Sequence, residues 1–569
     1  MSNKPFRAAV VQTLAALGDL DINIGLLRRY TEEAVRQGAR LVVFPECMNT
    51  GYLFDSADHC AELAEPVNGR FVQAMADLCR EHNIFIASGF TEKNEEKNKI
   101  FNTGLLLDPK GDIIVHYHKQ FLATHDQNWF ELGENGCPVV DTELGRIGLL
   151  ICFDGRIPEI TRNLALQGAE IIVDMANFFA MDQADMWVPA RAYENGLWFV
   201  AATKAGVERS IYYPGGSMIV APDGNVAAKI PYDTHGVATA EIDVSRARNK
   251  TWHHAGDRVQ DRRPALYSLI EKPVSETPLA AILDQPLIPE KTVAKAAAVQ
   301  AHATHEVNSL QDAYDMVDHT AKLGVKVIVL PQHFGCSTWL PSLSEAQAEA
   351  QHTEAHIKRV SAIAKQYGCV IVLPVLEAKG SKISAAAVII GTDGELIGRY
   401  QQTHVEPEMT DWCVPGELLP VFETPFGRLG VLLGYDGMFP ETSRVLALQG
   451  ADMIAWCSTW RRPHDRALLT VPKAEDNRIF LIAANRTDCP YPGGSFIVPP
   501  NGFPQWNLDI AAPATLRHGA VMPAFMNLAL SRQKFMIPKV NMLRNRIVSS
   551  YAPITADNRS LATEVKEAA

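Results

Sequence analysis

The sequence lacks paired cysteines. Its ten Cys residues are scattered with no CxxC spacing, which argues against a zinc site or a disulfide framework and for reduced thiols, most of them buried fillers. It also lacks any run of Lys or Arg. A formal charge of −12 spread over 569 residues offers nothing basic for phosphate, so neither nucleic acid nor an anionic membrane is an expected partner. No stretch approaches about 18 uninterrupted apolar residues, and the opening "MSNKPFRAAVVQTLAAL" has no long apolar region, so neither a membrane span nor a secretory signal is supported. Together these absences suggest a cytoplasmic protein in a reducing compartment. What is present is ordinary globular composition, 47% hydrophobic and 21% charged, over more length than one core usually accommodates. Two domains are the default expectation.

Internal similarity makes that expectation specific. "RAAVVQ" at Arg7 returns as "KAAAVQ" at Lys295, "RQGARLVVFPE" at Arg36 as "KLGVKVIVLPQ" at Lys322, and "GDIIVHYHKQ" at Gly111 as "GELIGRYQQT" at Gly394. "GRIGLLICFDGRIPEITRNLALQGAEII" at Gly145 answers "GRLGVLLGYDGMFPETSRVLALQGADMI" at Gly427, and "YPGGSMIV" at Tyr213 answers "YPGGSFIV" at Tyr491. The order is conserved throughout, so the chain is a tandem duplication of one domain. We read residues 1–270 as the first copy, the proline-bearing, aperiodic stretch 271–291 as a linker, and 292–569 as the second copy. Within each copy, short runs that are apolar on both faces, such as "LVVF", "IFIAS" and "IGLLIC", alternate with helical patterns. That alternation predicts an α/β fold with a covered sheet, and Gly38 and Gly168 suit the left-handed position that ends a helix.

Three side chains stand where apolar runs stop. Cys152 closes "IGLLIC" and precedes a turn into a helix, where unpaired amide donors favour a thiolate; from position alone it reads more readily as one of ten small buried residues. Glu46, after Pro45 in "RLVVFPE", is either a solvated loop acid or a carboxylate in a low-polarity site whose raised pKa suits proton transfer. Lys119 follows "IIVHYH", where a lysine is ordinarily solvated.

Taken together, "VVFPE", "YHK" and "GLLICFD" resemble the Glu, Lys, Cys triad of the nitrilase superfamily of carbon–nitrogen hydrolases, and the likeness continues through "TGY", "RIPE", "RAYEN" and "GGS". The resemblance covers nearly the whole first copy and, more weakly, the second. It implies two tandem four-layer αββα sandwiches. It also implies a reaction: Cys152 attacks an amide carbonyl, Glu46 moves the proton, and Lys119 with a backbone amide holds the oxyanion through a thioester, with no metal or organic cofactor. Many relatives carry a second glutamate after the lysine; here Asp126 corresponds, with Glu131 and Glu134 as competitors. The "C-x-D" form, with Asp154, resembles carboxyamide hydrolases and carbamoylases, so a small-molecule amide is the implied substrate. Candidate substrate contacts are Tyr52, Phe153, Arg156, Asn177, Phe178, Phe179 and Trp187, with Met175 and Met181 extending the apolar wall. Arg156 suits a substrate carboxylate or pairs with a structural acid, and the apolar residues read equally as core or interface.

The second copy places Gln332, Gln402 and Gly434 where the first has Glu46, Lys119 and Cys152, so the covalent route is closed to it. His333, Cys336 and Cys457 lie nearby but not at the nucleophile's place. Domains of the resembled family commonly pair through the helix after the nucleophile, which implies a pseudo-dimer within one chain; further homo-oligomer formation stays open.

Overall fold

The computed structural model describes residues 4–123, 125–252, 256–285, 293–301, 309–500 and 519–558. Its chain divides into two compact units: Met1–Lys250 with Ile537–Asn541 and Asn545–Ala569, and Thr251–Met536 with Met542–Arg544.

The first unit is α/β with two six-stranded sheets face to face. In one, Phe6–Gln12, Ala39–Val43 and Phe85–Asn94 run parallel, and Lys99–Leu107, Ile113–His118 and Gly236–Ile242 are antiparallel neighbours. In the other, Gly145–Leu150, Ile171–Ala176 and Trp198–Thr203 form the parallel centre. Helices Leu20–Arg36 and Arg70–His82 cover the outer face of the first sheet, burying Leu27, Tyr30, Phe71, Met75 and Leu78 against Val11, Val42, Ile86 and Leu105. Each such side chain contributes about 1.5–3 kcal/mol. Helices Pro158–Leu166 and Val188–Asn195 lie against the second sheet, completing the four αββα layers. Gly38 and Gly168 take left-handed φ angles of 83° and 87°, one residue past the helix caps Gln37 and Gln167.

The second unit repeats the plan. A six-stranded sheet centred on Val293–Gln300, Val327–Val329 and Val370–Lys379 is accompanied by a five-stranded one built on Gly427–Leu433, Met453–Ser458 and Phe480–Asn485. No helix among the described residues is long and apolar enough to cross a membrane.

Unit boundaries depart from the sequence reading, which closes the first domain at residue 270 and makes 271–291 a linker. Residues from Thr251 onward pack with the second unit, and those described up to Gln285 are not an idle connector. They form short helical turns and the helix Pro278–Leu283, with Pro264 and Pro278 opening two of them, a position where the missing N–H costs nothing. Tyr267, Ile270 and Leu279 are buried there, the Tyr267 hydroxyl lies 2.6 Å from His404 Nε2, and Arg262 Nε donates to Glu441 Oε1 over 2.9 Å. The carboxy-terminal segment does the same in the first unit: Arg546 pairs with Glu159 at 3.3 Å, and Tyr551 and Ile554 are buried. Glu159 and Glu441 open the equivalent helices Pro158–Leu166 and Pro440–Leu448. The segment that follows each copy therefore completes the other copy's unit. Proline content misled the sequence reading because it marks turn starts as well as connectors.

Candidate active site

Glu46 lies in the turn after the strand Ala39–Val43, seated by two backbone bonds: its own N–H to the Ala176 carbonyl (3.3 Å), and Gly89 N–H to the Pro45 carbonyl (2.9 Å). Gly89 is required at this approach, because a Cβ there would stand 2.3 Å from Glu46 Cα. Lys119 leaves the end of Ile113–His118 and its N–H bonds the Asn102 carbonyl. Cys152 opens a 3₁₀ turn, Cys152–Arg156, between the strand Gly145–Leu150 and the helix Pro158–Leu166, with a left-handed φ of 52°. A non-glycine residue held there is a strained one, and its N–H is anchored on Asp174 Oδ1 at 2.8 Å.

Lys119 Nζ is the hub. It donates to Glu46 Oε1 at 2.8 Å and lies 2.7 Å from Asp126 Oδ2, all three groups buried. Burial works against its ammonium, but the Asp126 and Glu46 carboxylates outweigh that and hold its pKa well above the ordinary lysine value. Asn102 Nδ2 donates to the same Glu46 oxygen at 2.6 Å, and the Tyr52 hydroxyl donates to Asp126 at 2.8 Å. Glu46 Oε2 has no hydrogen-bond partner among the described residues, and burial raises the carboxyl pKa. For Cys152, burial pushes the thiol well above its usual value, the Glu46 carboxylate adds to this, and Lys119 and the Asn177 backbone N–H offset only part. Burial thus opposes the thiolate that amide donors at the strand end were expected to favour.

Of the competing acids, Glu131 and Glu134 are exposed beside Lys97 and Lys99, while Asp126 is in the site. Asp154 bonds the Tyr117 hydroxyl (2.7 Å), Phe121 N–H (2.7 Å) and Ile151 N–H (3.1 Å), tying the cysteine turn to the lysine segment. Asp436 makes the same kind of bonds to Tyr400, Thr403 and Leu433, so this aspartate braces the turn in both copies. Arg156 forks onto Asp182 (2.9 and 3.0 Å) and lies over Trp187, which makes it a partner of a structural acid. It nevertheless lines, with Cys152, Phe178 and Trp187, a cavity of about 10 Å³. Phe179 packs with Tyr52 and Tyr213, Phe153 stacks on Phe121, and Met175 is buried. Met181 is 45% exposed, so it is no part of a wall. Asn177 is fully buried, and neither polar atom of its side chain has a partner among the described residues. Sequence reasoning missed Asn102, Asp174 and the buried pair Lys204–Glu208 (2.5 Å), whose carboxylate receives the Tyr52 and Leu53 N–H groups.

In the second copy, Gln332 Nε2 faces Gln402 Oε1 and Glu406 Oε1, both at 3.3 Å, and Gln402 Nε2 donates to Glu406 Oε2 at 2.9 Å. Glu406 holds the remaining acid. Gly434 has φ 37°, and a Cβ built on it would stand 2.0 Å from Gln332 Oε1 and 2.4 Å from Glu406 Oε1. Glutamine has moved into the space a side chain at 434 would need, and the glycine relieves the strain that Cys152 bears.

A model of the carbon-nitrogen hydrolase family matches residues 7–250 and again 295–505. A nitrilase of Pyrococcus abyssi is 33% identical over 262 residues, 46% of this chain and 98% of that protein. A deaminated glutathione amidase of Mus musculus is 32% identical over 263 residues, 43% of this chain and 79% of that one. Among solved structures, an amidase from Nesterenkonia sp. is 23% identical with a TM-score of 0.39, covering 44% of this chain and 94% of that one. The chain thus belongs to the carbon-nitrogen hydrolase family, as a tandem pair of nitrilase-like domains, and is a hydrolase of carbon–nitrogen bonds other than peptide bonds.

Proposed function

We propose that the first copy is a thiol amidohydrolase that cleaves a small non-peptide carboxamide or N-carbamoyl compound to an acid and ammonia, and that the second copy is a non-catalytic partner for it. The observation that carries the reading is the division of labour at Glu46: one oxygen is fixed by Lys119 and Asn102, while the other is buried without a partner among the described residues.

In the proposed cycle, that second oxygen takes the Cys152 thiol proton as sulfur bonds to the carbonyl carbon. Lys119, kept charged by two carboxylates, stabilises the oxyanion. Collapse breaks the carbon–nitrogen bond, and Glu46 gives its proton to the leaving nitrogen. Water, deprotonated by Glu46, then attacks the thioester; the carbon–sulfur bond breaks and the sulfur recovers the proton. Asp126 and Tyr52 position the lysine. Phe178, Trp187 and Asn177 are the proposed substrate contacts. The substrates in the names of the relatives, nitriles and amides, bracket the choice; a buried thiol with Glu46 as its base suits either.

The test is ammonia release across a panel of small amides, N-carbamoyl compounds and nitriles, with Cys152→Ala as control. Release on an amide by the parent but not the variant supports the reading. Equal signals from both, or turnover of nitriles alone, overturn it.

A further inference from the structure

A second cluster of chemistry-bearing side chains lies on the first sheet of the first unit, outside the triad. Glu92 stands near the end of Phe85–Asn94, while His116 and His118 occupy alternate positions on the edge strand Ile113–His118 and so share one face. The intervening strand contributes Thr103, opposite His118 in register. Glu92 Oε2 lies 2.6 Å from His116 Nε2 and 3.0 Å from His118 Nε2, and accepts from the Thr103 hydroxyl at 2.8 Å. One atom from each of Glu92, His116 and His118 lies within 4.8 Å of the others.

We propose that Glu92, His116 and His118 form a binding site for a divalent transition-metal ion, with Zn²⁺ the best fit. Two imidazoles and one carboxylate are the borderline donor set that zinc takes when three protein ligands leave a fourth position open, and they disfavour the all-oxygen preference of Mg²⁺ and Ca²⁺. Metal bonds of about 2.0–2.1 Å would set tetrahedral ligand atoms about 3.3 Å apart. The contacts of His116 and His118 to Glu92, at 2.6 and 3.0 Å, would open by about 0.7 and about 0.3 Å, with the ion replacing the hydrogens that now bridge them.

The supporting shell is already in place. The His118 ring lies flat on Phe101, centroids 4.0 Å apart at 1°, which fixes its plane, and the Thr103 hydroxyl fixes the carboxylate. Glu92 and His118 are 2% exposed, whereas the His116 side chain is 34% exposed and gives the ion a route from solvent. Nearby, Lys97 and Lys99 both pair with Glu134, and Lys97 also feels the Glu92 carboxylate.

The test uses the full-length chain stripped with a chelator. Addition of CoCl₂ is expected to produce visible d–d absorption that saturates at one equivalent, lacks the near-ultraviolet band of thiolate-bound cobalt, and is displaced by ZnSO₄. Glu92→Gln and His116→Gln should each weaken Zn²⁺ binding, measured by calorimetry, by more than the about 10- to 100-fold that loss of a supporting residue costs. His116→Gln changes a partly exposed side chain, so its circular dichroism and ammonia release should match the parent even if Glu92→Gln folds poorly. No stoichiometric cobalt spectrum, a thiolate band at the first equivalent, or unchanged affinity in His116→Gln overturns the site.

Discussion

Glu46 meets two opposing demands: it must stay ionised to act as a base, yet it is buried beside another carboxylate. Desolvation raises its pKa and the Lys119 ammonium pulls it down, with the net shift upward. Activity needs the ionised form, so kcat/KM should fall as pH drops through a value above the ordinary 4.5 of glutamate, and Glu46→Gln should abolish that acid limb together with about 10²- to 10⁴-fold of the rate. A pH–rate profile of parent and variant checks both. A further residue-scale prediction concerns Gly434. In the Cys152→Ala background, Gly434→Cys should restore no ammonia release and should cost about 1–3 kcal/mol in urea melts, because its Cβ meets Gln332 and Glu406. The three candidate side chains stood out because each stops an apolar run, but only the resemblance to the nitrilase superfamily joined them into one candidate site. Asn102 and Asp174 did not stand out: each sits within a strand and is given meaning only by partners 56 and 22 residues away.

At the scale of elements, the helices that follow Cys152 and Gly434 are each covered by a segment from the other copy. Their first-turn glutamates, Glu159 and Glu441, are buried against Arg546 and Arg262. Removing one member of a buried ion pair leaves an uncompensated charge, worth about 3–5 kcal/mol. Arg546→Met should therefore lower stability by that order and loosen Pro158–Leu166, read as faster amide exchange in that helix. Arg262→Met should do the same to Pro440–Leu448. Protection that is unchanged in both helices would contradict the pairing. Strand and helix alternation, and the helix-ending glycines, were plain from local pattern. The exchanged segments were not, since the Glu159–Arg546 pair spans 387 residues and local pattern carries no signal at that range.

For the whole molecule, the exchange changes what a half-chain can do. Residues 1–270 alone would lack Arg546, Tyr551 and Ile554 and would carry Arg262 and Tyr267 with nothing to cover. That fragment should be aggregation-prone and at least tenfold less active, and co-expression with residues 271–569 should recover ammonia release. A stable, monomeric, fully active fragment would remove the partner role proposed for the second copy. The duplication itself was readable from five recurring segments. That one copy kept the fold while its nucleophile position became glycine is understandable once the strained φ of Cys152 is seen, because that conformation is tolerated for chemistry and relaxes when chemistry is gone.

The central claim is that one sulfur in the duplicated chain carries the reaction. Rapid quenching during turnover of an amide that the enzyme cleaves, followed by intact-mass and peptide analysis, tests it most directly. The account predicts a single acyl group per chain, on the peptide bearing Cys152, lost in Cys152→Ala and rising when Glu46→Gln slows hydrolysis more than acylation. Turnover with no acylated species, or acylation on a cysteine of the second copy, would contradict it.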